Sequence, residues 1–348
     1  MSSSSVSVVV PCYNYGRYLR DCVQSLLDQA GVDVRVLIVD DASTDNSASI
    51  AAELAAADPR VEFRPHATNQ GHIRTYNDGL DWATGTYTVL LSADDMLTPG
   101  SLRRACELLD AHPEVGFVHG RALVFRDDHP RPRPTTGECF WTIWQGFEWF
   151  ETRCRTTENC VHAPGGVMRT RWLRELGGFR AELPHTADFE MWMRLALYAD
   201  IGYVGGVHQA FYRAHAANMH HEFGTALADL KQVRAAFETL FHDHGQRMTE
   251  RARLEACTWQ MLSRRALQAA CAAYDLGLVD STEIAALEEL AFTTSGDAHT
   301  LAEWRGLQWR KRLGPRFCRI IRPLFRVAIL PQRFYRRLKW RRLRRAGL

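Results

Sequence analysis

The first residues, Met-Ser-Ser-Ser-Ser-Val, lack the charged-then-apolar order of a secretory signal. In the stretch 305–348 the longest run without a charge is 327–332, far short of the ~20 apolar residues that a membrane span requires. The nine cysteines are scattered without C-x-x-C spacing, which sets the expectation of a reducing compartment and a cytosolic chain. There is no internal repeat, no low-complexity tract outside the tail, and not one Asp or Glu from 305 to 348.

What is present suffices for a core: 46% of 348 residues are apolar, the size of one large domain or two smaller ones. The net charge of +3 conceals a division. Residues 305–348 hold 16 of the 43 Lys and Arg, which leaves 27 basic against 40 acidic residues in 1–304, a net of −13. An acidic body joined to a basic tail assigns an anionic partner to the tail, and the body carries no footprint of nucleic-acid binding. Phe317, Ile320, Ile321, Leu324 and Phe325 recur at helical spacing among Arg316, Arg319, Arg322 and Arg326. This predicts an amphipathic helix lying on a membrane, kinked by Pro323. At about 1 kcal/mol per basic residue near an anionic leaflet, even a fraction of the tail's charge would hold the chain there. A solubilising or nucleic-acid-binding tail is the competing reading.

Apolar runs alternate with helical periods along the first third of the chain. Residues 6–11 form a continuous apolar run that ends in Pro11, Cys12, Tyr13 and Asn14, and 17–29 then follow helical spacing. Residues 34–39 repeat the pattern and end in Asp40, Asp41, Ala42 and Ser43 before a helix over 47–57. A strand at 61–64, a loop with Asn69, Gln70 and Gly71, a helix near 73–83 and a strand at 87–91 continue it, followed by a helix over 99–111 and a strand near 115–125. Such alternation predicts an α/β fold with a mainly parallel sheet, helices on both faces, and ligand sites beyond the carboxyl ends of the strands.

Three polar clusters fall at those ends: Tyr13 with Asn14, Asp40 with Asp41, and Asp94 with Asp95. Adjacent carboxylates repel, and a strand end that keeps them is a place for a divalent cation. Alone, the last pair also reads as a solvated turn, with Thr98 as N-cap and Pro99 as first helical residue. Convergence of three clusters favours a site. Beyond them, 127–137 reads as a Pro- and Arg-rich loop, and Trp141, Trp144, Trp149 and Phe150 read either as core or as sugar-stacking surfaces. Segments 226–241, 251–274 and 282–292 predict a helical appendage.

Five motifs in order carry a resemblance: Val-Ser-Val-Val-Val-Pro-Cys-Tyr-Asn at 6–14, Val-Leu-Ile-Val-Asp-Asp-Ala-Ser-Thr-Asp-Asn-Ser at 36–47, Asn-Gln-Gly at 69–71, Asn-Asp-Gly at 77–79 and Ser-Ala-Asp-Asp at 92–95. They resemble family 2 glycosyltransferases, inverting enzymes of the GT-A fold that use nucleotide-sugar donors. The likeness continues in Gly-Gly-Phe-Arg at 177–180, Thr-Ala-Asp-Phe-Glu-Met-Trp-Met-Arg at 186–194 and Tyr-Arg-Ala-His at 212–215.

The resemblance implies a GT-A domain over 1–220, with its nucleotide half near 1–125 and its acceptor half near 126–220, then the helical appendage at 221–304 and the tail at 305–348. It implies Asp188 as catalytic base, in a segment whose apolar neighbours would desolvate it and raise its pKa. A helix N-terminal carboxylate stabilised by the dipole is the plainer reading. The implied cofactor is Mn2+ or Mg2+ held by Asp95 and His215. Pro11, Tyr13, Asn14, Asp40, Asp41, Arg74 and Asp94 are assigned to the donor, with UDP favoured. In that assignment Tyr13 packs near the base, Asp40 or Asp41 accepts from a ring N–H, and Asp94 lies nearer the ribose. Arg74 reads equally as a solvated helix residue.

Two acids usual in the family are replaced, by Ser92 and Ala187. The implied activity is transfer of a single sugar, since the processive Gln-x-x-Arg-Trp signature is not in its expected place. The implied acceptor is a glycan or lipid-linked hydroxyl in cell-surface polysaccharide or glycolipid synthesis, met at the cytoplasmic face of a membrane. A sugar-phosphate nucleotidyltransferase and a silent nucleotide-sugar-binding scaffold are the alternatives.

Overall fold

A computed structural model describes residues 4–161, 163–215, 218, 225–328 and 347. They fall into two compact units, the first comprising Met1–Trp149, Cys160–Asn218 and Ala346–Leu348, the second Phe150–Asn159 and Met219–Arg345.

The first unit is built on one sheet. Its parallel half follows the predicted alternation: β1 (Ser5–Cys12), α1 (Gly16–Leu27), β2 (Asp33–Asp40), α2 (Ser47–Ala57), β3 (Val61–Pro65), α3 (His72–Trp82) and β4 (Tyr87–Leu90). The strand order is β3-β2-β1-β4, all parallel. Val6, Val8, Val9 and Val10 of β1 are wholly buried, as a central strand covered on both faces requires. Cys12 pairs with Asp40, and Asp40 with Pro65, so the loops after three strands leave the sheet at one edge.

The other half is mixed. It contains β5 (Met96–Leu97), α4 (Ser101–Ala111), β6 (Val115–Phe125), β7 (Phe140–Trp144), the start of α5 (Gly146–Thr156, counted with the second unit from Phe150), β8 (Val167–Arg169), α6 (Thr170–Leu176), α7 (Ala187–Ala196) and β9 (Asp200–Arg213). Three-residue β8 runs antiparallel to both β4 and β6 and joins the two halves. The strand β9 is parallel to β6, and its end at Arg213 lies opposite Phe125. Antiparallel β5 sets Met96 opposite Phe211. The carboxyl end of β9 thus arrives beside the residues that follow β4.

Thr98 does not cap α4. The capping position belongs to Gly100 in a left-handed conformation, and the buried Thr98 hydroxyl donates to the His208 carbonyl at 2.6 Å, tying the turn to β9. Trp149 and Phe150 are core residues. Trp141 is exposed on β7 opposite Val204, nine residues before Arg213 on the same strand, so these aromatics do not line the acid pair. All nine cysteines are unpaired thiols.

The second unit holds α8 (Ala226–His244), α9 (Arg251–Leu276), α10 (Ser281–Thr294), α11 (Ala302–Leu313) and α12 (Pro315–Ala328), with α9 packed against the other four. The helix α12 runs through Pro323 as one element. No helix among the described residues is long and apolar enough to cross a membrane. Tail residues 329–346 and 348 lie outside the described residues.

Two signatures are packing devices. Gly79 lets α3 lie on β1, since a Cβ there would fall 2.1 Å from Val9 Cγ1. Asn77 clamps the loop before α7, accepting from Phe179 N and donating to Phe179 O, each at 2.8 Å. Gly79→Ala should therefore destabilise the protein by about 1–3 kcal/mol through overpacking against stiff Val9, read as a lowered urea midpoint.

Candidate active site

Asp94 and Asp95 are both buried. One Asp94 oxygen accepts from His215 Nε2 at 3.0 Å and from Asn218 Nδ2 at 3.3 Å. Asp95 accepts from the Arg213 backbone N–H at 2.8 Å, while Arg213 Nε donates to the Asp94 carbonyl at 2.8 Å. The Arg213 guanidinium lies between the faces of Tyr18 and Phe125, 4.4 and 4.8 Å from their centroids, and pairs with Asp127 and with Asp21 at 3.4 Å. Burial pushes the Asp95 carboxyl well above its ordinary range, the Asp94 charge adds to the rise, and Arg213 offsets part of it.

The imidazole of His215 stacks on Tyr18 at 5.1 Å and meets the Tyr15 ring edge-on at 5.6 Å. Its Nδ1 is buried with no hydrogen-bond partner among the described residues. Two buried carboxylates, one with a strongly raised pKa, are the oxygen donors a divalent cation would take here, while the His215 nitrogen that meets Asp94 is Nε2 and not the orphaned Nδ1. Among the described residues no group of three or more His, Cys, Asp or Glu side chains is placed to hold a metal ion by itself. A cation that bridges phosphates needs few protein ligands, so this open arrangement is compatible with it.

The β1 and β2 loops are knit together. Asn14, at φ 58°, accepts through Oδ1 from Thr44 N at 2.8 Å, and its own N–H donates to Ser43 Oγ at 2.9 Å. Asp40 accepts from the backbone N–H of Ser43 at 3.0 Å. Ala42, also at φ 58°, holds a left-handed conformation that disfavours a side chain. Asp41 is more committed than the sequence implied. It accepts from Gln70 N at 2.7 Å, Gly71 N at 2.9 Å and His66 Nδ1 at 2.8 Å, and so organises the Asn-Gln-Gly loop. On its far side His66 lies 3.1 Å from Asp78, which also pairs with Arg74 at 2.8 Å. Arg74 keeps 67% of its side chain exposed, Pro11 is buried as the last residue but one of β1, and Tyr13 is exposed just beyond the strand.

Asp188 is the second residue of α7, half-buried, and accepts from the adjacent Phe189 N–H at 2.6 Å. The helix is anchored by Glu190, which pairs with Arg180 at 3.3 Å and Arg194 at 3.1 Å, and by Arg194 donating to the Gly178 carbonyl at 2.7 Å. His72 Nε2 lies 2.8 Å from the Pro184 carbonyl, a second tie from α3 to the approach of α7. Tyr76, which sequence reasoning missed, joins the halves. Burial raises its pKa first, and the charges of Asp188, Asp94 and Asp95 raise it further, so the phenol keeps its proton. Its neighbours His72 and Phe179 meet its ring edge-on, each at 5.5 Å. Asn218 was missed too. It stands three residues beyond His215, and no local pattern signals it.

The Asp95 shift has a sign that can be measured. Its folded pKa lies above the unfolded value, so the cost of holding it charged is absent at low pH and grows as pH rises from the ordinary carboxylate range. Metal-free Asp95→Asn should melt above the wild type at neutral pH, with the gap closing on acidification. A gap independent of pH would contradict the assignment.

A model of the family described as "Glycosyl transferase family 2" matches residues 7–177. An uncharacterized glycosyltransferase of Nostoc sp. is 35% identical over 123 residues, which is 35% of this chain and 38% of that protein's own length. The structure of S. aureus TarS in complex with UDP-GlcNAc superimposes with a TM-score of 0.63 at 18% identity, covering 93% of this chain and 92% of that one. A mannosyltransferase of Pyrobaculum calidifontis in complex with GDP-Man and Mn2+ does so with a TM-score of 0.54 at 17% identity, covering 94% of this chain and 87% of that one. At these identities the structural likeness shows the fold, a GT-A type α/β sheet. With the family match over residues 7–177 and the ordered motifs on the sheet edge, the chain carries a domain of glycosyltransferase family 2.

Proposed function

We propose that the protein transfers a single sugar, with inversion, from a nucleoside diphosphate sugar to a hydroxyl of a glycan or lipid-linked acceptor in cell-surface polysaccharide or glycolipid synthesis. The observation that carries this is the buried Asp94–Asp95 pair, met by His215 and the end of β9 at the carboxyl edge of the sheet, in a chain whose residues 7–177 match the family. A uridine donor is favoured, in keeping with the UDP-GlcNAc bound by TarS. Residues 1–220 form the catalytic domain. The basic tail holds the enzyme peripherally on the cytoplasmic leaflet, where a lipid-linked acceptor would be met.

In this reading Asp188 takes the acceptor hydroxyl's proton as that oxygen attacks the anomeric carbon opposite the leaving diphosphate. Asp95 and His215 would hold Mn2+ or Mg2+, the former being the ion in the mannosyltransferase complex. Bound there, the cation supplies Lewis-acid stabilisation of the departing diphosphate. Asp94 fixes the His215 ring through the 3.0 Å hydrogen bond. Tyr13 and the Pro11–Asn14 loop flank the base, with Asp40 or Asp41 at its polar edge. Tyr76 donates to an oxygen between the acid pair and the base.

A donor screen that reads nucleoside diphosphate release tests this. The expected result is metal-dependent release from one uridine donor, a kcat lower by about 10²–10⁴ in Asp188→Asn with UDP binding kept, and loss of metal dependence in Asp95→Asn. Unchanged turnover in both variants would sink the proposal, and pyrophosphate release would reassign the enzyme as a nucleotidyltransferase.

A further inference from the structure

Among the described residues nine large apolar side chains are exposed, and five of them, Leu276, Leu278, Trp309, Phe317 and Ile320, belong to the helical unit. Two pairs of these lie in one neighbourhood. Leu276 and Leu278 flank Gly277 at the end of α9, and a Cβ on Gly277 would fall 3.3 Å from Arg319 Cδ on α12. Arg319 is itself flanked by exposed Phe317 and Ile320.

The local geometry shows that both pairs point away from the unit's interior. The helix α9 ends in a Schellman turn: Gly277 has φ 70°, its N–H donates to the Tyr274 carbonyl, and the Leu278 N–H reaches back to the Ala273 carbonyl at 3.0 Å. An apolar residue in the position of Leu278 usually folds back on the helix, yet Leu278 is 71% exposed. On α12 it is Cys318 that faces inward, buried with its thiol 3.7 Å from the Arg310 carbonyl. Ile320, two residues on, is 73% exposed, and Phe317 lies one turn behind it on the same face.

The charge around this patch has one sign. Arg312, Arg316 and Arg319 are exposed, and no Asp or Glu occurs from 305 to 348. The acids on either side of Leu276 and Leu278 in sequence are engaged, Asp275 in the last turn of α9 with Arg310 at 2.7 Å and Asp280 as the N-cap of α10. Eight further basic residues follow Ala328 in the sequence.

We propose that Leu276, Leu278, Phe317 and Ile320 form a bilayer-insertion patch, with Arg312, Arg316 and Arg319 at the level of anionic headgroups. The α9–α10 turn and α12 enter the same leaflet together, so the membrane site is a preformed surface of the helical unit in addition to a charged tail. The inference rests on the proposed peripheral membrane association only for its choice of surface, and its test does not depend on sugar transfer. Apolar tips among arginines favour anionic lipid, because insertion and headgroup attraction act on the same few residues.

The test is sedimentation of the full chain with vesicles of phosphatidylcholine, alone or mixed with phosphatidylglycerol. The wild type should sediment with the mixed vesicles and stay in solution with phosphatidylcholine alone. Leu278→Asp with Ile320→Asp should weaken partitioning by about tenfold or more at unchanged melting temperature and unchanged nucleoside diphosphate release. Leu278→Ala with Ile320→Ala, which adds no charge, should weaken it less, in the same direction. Aspartate variants that bind like the wild type overturn the patch, as does a wild type that ignores anionic vesicles. Vesicle-independent dimerisation lost in the aspartate variant would assign the surface to a second copy, and retention by RNA without vesicle binding would assign it to nucleic acid. Either result overturns the proposal.

Discussion

Two adjacent carboxylates withdrawn from water together are the constraint around which the first unit is arranged. Burial, with the neighbouring Asp94 charge added to it, opposes charging Asp95, and a charge left uncompensated in such a place is expensive. The protein answers with the end of one strand. The strand β9 delivers a backbone N–H to Asp95 and the Arg213 side chain to the Asp94 carbonyl, and His215 and Asn218 follow to the Asp94 carboxylate. Two-residue β5 and the buried Thr98 hydroxyl fasten the acid turn to that strand. Arg213 in turn is held between aromatic faces, so the compensating charge is fixed before any ligand arrives. Asp95 nonetheless stays hard to ionise, as a residue awaiting a cation would be.

Several of the motif residues set distances within the framework. Asn77, Gly79 and Gly178 set α3 against β1 and against the loop before α7, the helix whose second residue is Asp188. Asn14 and Asp41 belong more to framework than their motifs implied: the first joins two loops, and the second spends its oxygens on Gln70, Gly71 and His66. His66 then extends the framework through Asp78 to Arg74. A change in this chain of contacts would reach Asp41 and the Asn-Gln-Gly loop through His66.

The parallel half of the sheet was legible because its strands are continuous apolar runs separated by helical periods, signals carried within a dozen residues. The long helices of the second unit were legible for the same reason. What escaped depends on partners far apart in sequence. Three-residue β8 is too short to show a period and is defined only by its pairing with β4 and β6. Thr98 has the sequence look of a cap, yet its hydroxyl is spent on His208, 110 residues away. Tyr76 sits in a helix whose apolar spacing explains it as packing, and only the neighbouring carboxylates mark it as part of the site. Leu278 escaped because exposure is a property of the finished surface.

The central claim is that the acid pair with His215 is a cation site coupled to the donor's diphosphate. Linkage makes that coupling measurable as a change in nucleotide affinity. The most direct measurement is calorimetric titration of UDP into the full chain with and without Mn2+. The account predicts that UDP binds tighter by about tenfold or more when Mn2+ is present. Equal UDP affinity in the two conditions would contradict it.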